Sequence, residues 1–394
     1  MAVNIVSREK VEALIREQIV DTIFQDTPKQ SAFMSMARKL PNMTSNQTRI
    51  RVLDYLPIAN WVNGDTGMIE TSEQAWDNVY IDAAELAVIV PIPENVLNDA
   101  ERDLIGEITP RIMEAIGQKV DSAIVFGVNR PANWQMDIIS LARQAGNNVA
   151  ATAGKDYYDL LLGEKGVFAQ VENGGYAVTG AMADTSFRSK LRGLRDTTGQ
   201  PIFVHSMQDS SKYSLDGVPL TFPLNGSFRK NITQIVVGDF SQAVYAIRQD
   251  VDVKILDQGV IQDPVTKEIV YNLAQQDMIA IRVTFRMGWA IPNPATRLDE
   301  DRTACAFAYL EPTTPETVQD VTFTFSDDDG NAKDVVVNID NARCKSGADG
   351  KTVFHLRKGT YTAKITKKGY VTMTETVVVD ETAVNKEITL VKNL

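Results

Sequence analysis

The segment that most constrains this fold lies at residues 46–92. Ile50 and Val52 alternate with Arg49 and Arg51, and a second run from Trp76 carries Val79, Ile81 and Ala83 on one phase, the period of half-buried strands. Between them stands the polar stretch ANWVNGDTGMIETSEQ, with turn chemistry at 63–67. This pattern predicts a long two-stranded projection. An isolated two-stranded ribbon is marginal in water, so the projection must rest on something outside itself, which is read here as a neighbouring subunit. The apolar phase then slips to Leu86, Val88, Val90 and Ile92, as expected of a bulge or strong twist near Ala84.

Upstream, Val11, Ile15, Ile19 and Ile23 recur every fourth residue behind a capping Ser7, the pattern of an amphipathic helix whose apolar face wants a partner. Thr27 and Pro28 fit the cap and first turn of a second short helix holding Phe33, Met34 and Met36, so the opening segment reads as an arm. Thr109 and Pro110 form another cap pair ahead of Ile112, Ile116, Val120 and Ile124, with Gly127 as the stop. If that helix reaches back to Asn98 or Asp99, Pro110 should kink it. Residues 151–280 mix short helices and strands in α+β style, and strand runs at 278–285 and 303–310 follow. After a Pro/Thr linker at 311–315 the texture becomes all-β, with six short strands (VTFTF, DVVVNI, TVFHL, TYTAKI, TETVVV and EITLV) at sandwich-like spacing.

The chemistry-bearing patterns are missing. A phosphate loop around Gly154 and Lys155 fails at Val149 and Asp156, and no GxGxxG after a strand, HExxH or CxxC occurs. Cys305, Cys344, His205 and His355 are scattered without metal-ligand spacing, and His205 beside Ser206 would point to opposite faces of a strand. Asp327 to Gly330 reads as a hairpin turn, and Arg188, Arg192 and Arg195 as a solvated helix face or a contact for an acidic neighbour or DNA. No catalytic, cofactor-binding or metal residue is assigned, and no cofactor is expected. With 51 acidic against 40 basic residues and a net charge of -11, the surface is not built to grip many phosphates. The two cysteines imply no disulfide framework, and no run approaches the roughly 18 apolar residues of a membrane span. Without a signal-like start, the expected location is cytoplasmic and no membrane partner is expected.

These pieces, in this order, resemble the tailed-phage major capsid proteins of the Hong-Kong-97-type fold. The resemblance is carried by RIRVLDYLPIANWVNGD, VPIPENVLNDAERDLIGEITPRIMEAIGQKVDSAIVFG, FRSKLRGLRDTTGQPIF, SLDGVPLTF, VVGDFSQAVYAIRQDVDVKI and QDMIAIRVTFRMGWAIPNPATR, and spans residues 1–312. It implies an α+β capsid fold with an N-terminal arm (1–45), an extended loop (46–92), a peripheral domain with a spine helix (93–150 and 281–312) and an axial domain (151–280). Residues 313–394, through GTYTAKITKKGYVTM, resemble the small immunoglobulin-like or carboxypeptidase-regulatory-like inserts of phage surfaces. They are expected to sit outside the shell, touching host polymers or bracing capsomers.

The resemblance further implies a homo-oligomer of hexamers and pentamers enclosing double-stranded DNA without sequence-specific binding. Portal and scaffold proteins would be partners during assembly in a bacterial host cytoplasm, and the location would be the virion capsid. A scaffolding domain ahead of the arm is not expected within this chain. Inter-subunit contact is expected at Ile15 and Ile19 on the arm, and at Arg49, Arg51, Trp61, Asp65 and Glu70 on the loop. An encapsulin-like compartment holding an enzyme is the alternative, and a carbohydrate-active enzyme with an accessory sandwich a more distant one.

The family's founding member cross-links its shell through a lysine on the extended loop, whereas no lysine occurs here between Lys39 and Lys119. Particles boiled in denaturant should therefore run as a single band near 43.5 kDa. A ladder of high-mass species would refute the expectation.

Overall fold

The computed structural model describes residues 31–57, 59, 71–72, 74–99, 104–151, 156–194, 214–313, 318–327 and 330–392. The sequence-predicted contacts Ile15, Ile19, Trp61, Asp65 and Glu70, like His205, Ser206 and Arg195, lie outside the described residues.

The body is organised by a four-stranded sheet of order β1-β10-β13-β4, built from β1 (Arg38–Lys39), β4 (Ala84–Pro93), β10 (Val244–Leu256) and β13 (Met278–Ala290). β13 is apolar almost throughout because it is covered on both faces. Ile281, Val283, Phe285, Met287 and Trp289 enter the main core, and Ala290 joins a second, smaller cluster on the opposite face. Between β10 and β13 the chain forms a small hairpin of β11 (Val260–Gln262) and β12 (Ile269–Asn272).

A second sheet has six strands in the order β5-β14-β9-β6-β8-β7. These are β5 (Asn148–Ala150), β6 (Gly180–Ala183), β7 (Ser214–Leu215), β8 (Val218–Thr221), β9 (Ile235–Gly238) and β14 (Phe307–Glu311). The helix Val167–Asn173 packs Val167, Phe168 and Val171 beside β9 and β14.

The remaining helices that matter here are α1 (Ala32–Met36), α2 (Glu94–Asp99), α3 (Leu104–Phe126) and α4 (Ile138–Gln144). The predicted stripe of α3 holds: Ile112, Ile116, Val120 and Ile124 are all buried, and Gly127, at φ +69°, ends the helix. Its start does not lie at Thr109 and Pro110. Its described part begins a turn and a half earlier, at Leu104, and carries Pro110 inside it, where the ring forfeits one internal donor.

The slip of phase near Ala84 is not a bulge either. β2 (Gln47–Tyr55) pairs antiparallel with β3 (Ala75–Asp82), which stops at Asp82; Ala83 turns the corner, donating its N–H to the Asn46 carbonyl at 2.9 Å, and β4 continues in another sheet. A change of partner, rather than an extra residue, resets the phase. The hairpin thus ends at Asp82, and residues 84–93 pair with β13 in the body.

Among the described residues past 313, eight strands form two four-stranded sheets. One contains β15 (Gln319–Asp327), β16 (Gly330–Asn331), β19 (Lys351–Leu356) and β22 (Val384–Thr389). The other runs β18 (Ala342–Lys345), β17 (Val336–Ile339), β20 (Gly359–Thr366) and β21 (Met373–Val379). Val321, Phe323, Phe325, Val337, Phe354 and Val377 are fully buried within this module. The six predicted strands are present, joined by the short β16 and β18.

One buried carboxylate joins three parts of the body. Asp121 of α3, with no exposed surface, accepts hydrogen bonds from Ser31 Oγ at 2.5 Å, Ala32 N at 2.9 Å, Phe33 N at 3.2 Å and Asn225 Nδ2 at 2.7 Å. Burial pushes its carboxyl above the ordinary value, against the opposing pull of those donors. Asp121→Ala should lower the unfolding free energy by about 3 kcal/mol, because it strands several buried donors at once. Asp121→Asn should recover only part of that loss, since its amide must face two donors whichever way it is turned. Urea unfolding of the two variants checks both statements.

Candidate assembly surface

The hairpin has two unlike faces, set by strand alternation. Its inner face carries Ile50, Val52, Val79 and Ile81 onto Val244, Ala246 and Ala290 of the body. Gly288 of β13 makes this approach possible: a Cβ there would lie 2.5 Å from both the Asp82 carbonyl oxygen and Ile81 Cγ2. The root of the projection therefore rests on its own chain, and not solely on a neighbour as the sequence suggested. Trp134 Nε1 adds a hydrogen bond to the Asp82 carbonyl at 3.0 Å.

Among the described residues, the outer face is exposed. Arg49 sits across from Tyr80, Arg51 across from Asn78 and Leu53 across from Trp76. Trp76 is 63% exposed and Tyr80 50%, and Trp76 surrounds a shallow concavity with Arg49, Arg51, Leu53, Gln74 and Asn78. Tryptophan, tyrosine and arginine are the side chains that most often dominate protein interfaces. Of the loop residues predicted for inter-subunit contact, Arg49 and Arg51 stand on this face. Trp76 and Tyr80 were not among the residues singled out for contact in the sequence, although strand alternation places both on the face of Arg49 and Arg51.

Charged groups fix the hairpin farther out. β2 has an irregularity between Leu53 and Tyr55, leaving Asp54 without a register partner on β3. Arg302, whose side chain is only 3% exposed, donates from Nη1 to Asp54 Oδ1 at 2.7 Å and to Asp77 Oδ2 at 3.1 Å. Its Nε donates to the Asn293 carbonyl at 2.8 Å, and its backbone adopts a left-handed φ of +59°. Arg343, from β18 of the C-terminal module, reaches the same Asp54 oxygen at 3.2 Å. Burial alone would raise the Asp54 carboxyl, but the hydrogen bond from Arg302 and the charges of both arginines outweigh it and hold it below the usual range.

The module is docked against the body along its length. Arg357 donates from Nη1 to the Phe126 carbonyl at the end of α3 (2.8 Å) and to Asp137, the N-cap of α4 (3.0 Å). Arg130 pairs with Asp340 at 2.9 Å, and Asn341 Nδ2 donates to the Ile291 carbonyl at 2.7 Å. Gln144, the last residue of α4, donates to the Val353 carbonyl and accepts from His355 N, both at 2.9 Å. Its side-chain amide thus occupies the free edge of β19 as another strand would. None of these residues has a recognisable motif in the sequence.

Among the described residues no cluster of His, Cys, Asp and Glu could hold a metal ion. Cys305 is buried, and burial pushes its thiol up to about 12. His355 Nδ1 lies 2.6 Å from Asp320 on the module surface. Arg188 lies over the Phe222 ring at 5.5 Å, and Lys190 over Tyr157 at 4.9 Å while bonding Gln234, so the helix Phe187–Arg192 is engaged with its own chain.

The sequence profile of the phage capsid family matches residues 12–296, ending before the module. The chain is 25% identical over 311 residues to the major capsid protein of Staphylococcus phage 80alpha, covering 78% of this chain and 88% of that one. A solved structure from Microbacterium phage Oxtober96 superposes with a TM-score of 0.65 at 31% identity, covering 78% of this chain and 99% of the other. One from Mycobacterium phage Bobi gives 0.66 at 30% identity, covering 78% and 98%.

The depressed Asp54 predicts a pH dependence with a definite sign. Its stabilisation is complete above the ordinary value of 3.8 and is lost as pH falls through the lower folded value. The stability difference between wild type and Asp54→Asn should be flat from about pH 7 to 5 and shrink below about pH 4. It should not exceed about 1 kcal/mol, because Asp54 remains partly open to solvent screening. Chemical unfolding across that range checks it; a difference that grows in acid would contradict the assignment.

Proposed function

Because this chain belongs to the phage capsid family, we propose that this phage major capsid protein closes into hexamers and pentamers of an icosahedral shell around double-stranded DNA. The observation that carries this reading is the division of labour on the hairpin: an inner face seated on its own body, and an outer face of Arg49, Arg51, Trp76 and Tyr80 left open. Such a face is suited to lying across a neighbouring copy, as the extended loop of a capsid subunit. The arm at 1–45 is assigned a similar reach through its apolar stripe, including Ile15 and Ile19, with Trp61, Asp65 and Glu70 as further loop contacts.

In this reading 93–150 and 281–312 form the peripheral domain with α3 as its spine, 151–280 form the axial domain around which capsomers close, and 313–394 form an immunoglobulin-like domain on the outer surface. A net charge of -11 suits a wall that contains DNA without holding it, because few phosphates would be neutralised and release would meet little resistance. Portal and scaffold proteins are the expected assembly partners, in the cytoplasm of a bacterial host.

Electron microscopy of the protein expressed alone, and with its neighbouring virion-assembly genes, should show uniform shells or rings of five and six. Nuclease-protected DNA inside the co-expressed particles would distinguish a genome container from a cargo compartment. Trp76→Ala combined with Arg51→Glu should leave the circular dichroism spectrum unchanged and lower particle yield at least about tenfold. Persistent monomers in both settings, or a double variant that assembles like wild type, would overturn the proposal.

A further inference from the structure

The C-terminal module lies outside the matched family region, yet it touches the projecting hairpin. Three observations give that contact a purpose. First, Arg343 of the module and Arg302 of the body share one carboxylate oxygen of Asp54, so hairpin, body and module meet at a single atom. Second, the contact is made where β2 loses its register with β3, beyond the apolar root formed by Ile50, Val52, Val79 and Ile81. The strands there have least support of their own. Third, both arginines come from well-anchored supports. Arg302 is fixed through the Asn293 and Pro292 carbonyls, and Arg343 belongs to a module tied to α3 and α4 through Arg357 and Gln144. Lys345, two residues on along β18, also holds Asp301 of the loop that carries Arg302, at 3.0 Å.

We infer that the C-terminal module acts as an intramolecular brace for the hairpin, with Arg343 as the positioning residue that fixes the hairpin's angle to the body. The assembly consequence rests on the reading of the hairpin as a contact between copies: the brace sets the angle at which one subunit meets the next. The four charges of Asp54, Asp77, Arg302 and Arg343 balance, so the cluster holds position without a net field. A guanidinium suits the task better than an ammonium, because its fixed fork holds direction as well as charge.

The test is hydrogen exchange on the unassembled full-length chain. In Arg343→Met, which keeps the aliphatic stem, amide exchange in β2 and β3 should rise roughly three- to tenfold, while β15 and β20 within the module keep wild-type protection. Arg343→Lys should retain part of the protection. Unchanged exchange in the hairpin would overturn the brace, and so would a rise shared equally by the module strands, which would report general loosening. In assembled material Arg343→Met should broaden the distribution of shell diameters, and a distribution as narrow as wild type would overturn the assembly consequence. Since exchange is read on single chains, a wild-type protein that never formed shells would remove the proposed function without touching the brace.

Discussion

A two-stranded ribbon cannot bury an apolar face against itself, so it needs a foreign surface to stand on. Much of this structure is arranged around that constraint. β13 gives up a side chain at Gly288 so that Ile81 and the Asp82 backbone can lie against it, and Ile50, Val52 and Val79 complete a small apolar root. Beyond the root, where apolar burial ends, charge takes over through Arg302, Arg343 and the two aspartates. The sequence of supports runs from packing near the body to charge-assisted hydrogen bonds farther out. This gives a projection that is held in direction while one face stays open to a partner.

Much of this was legible in the residue pattern, for physical reasons. Alternation at 50–52 and 79–81 reported the hairpin because a half-buried ribbon imposes period two. The stripe Ile112, Ile116, Val120 and Ile124 reported the long helix because it is covered on one side. Periodicity tells which face is buried but not against what, so the exchange of partners at Ala83 looked like a bulge, and the hairpin's own root on β13 looked like a missing neighbour. The sequence left the start of α3 open between Thr109 and an earlier turn, because Thr109 and Pro110 carry a true capping signature that the longer helix overrides. The module contacts left no trace at all: Arg343, Arg357 and Gln144 are ordinary polar residues until the fold sets them against Asp54, the Phe126 carbonyl and the β19 edge.

The same distinction separates what the family likeness explains from what it does not. The profile match includes the hairpin and most of the body, where the shared fold dictates burial and register. It stops at residue 296, short of the C-terminal module, which meets the body through polar side chains such as Asn341 and Arg357. The Pro/Thr linker leads to a module engaged with α3, α4, the 291–303 loop and β2. Sequence texture located the module, while only geometry gave its attachment.

The Gln144 clasp bears on where the chain can be cut. A domain that merely hangs from a linker can be removed without baring anything it shares with its host. Here the end of α3, the cap of α4 and the Ile291 carbonyl have partners in the module, and the module's own strand edge is closed by a side chain of the body. A chain ended at the linker would turn all of these groups over to water. The boundary that the sequence marks by texture is therefore not a boundary between independent surfaces.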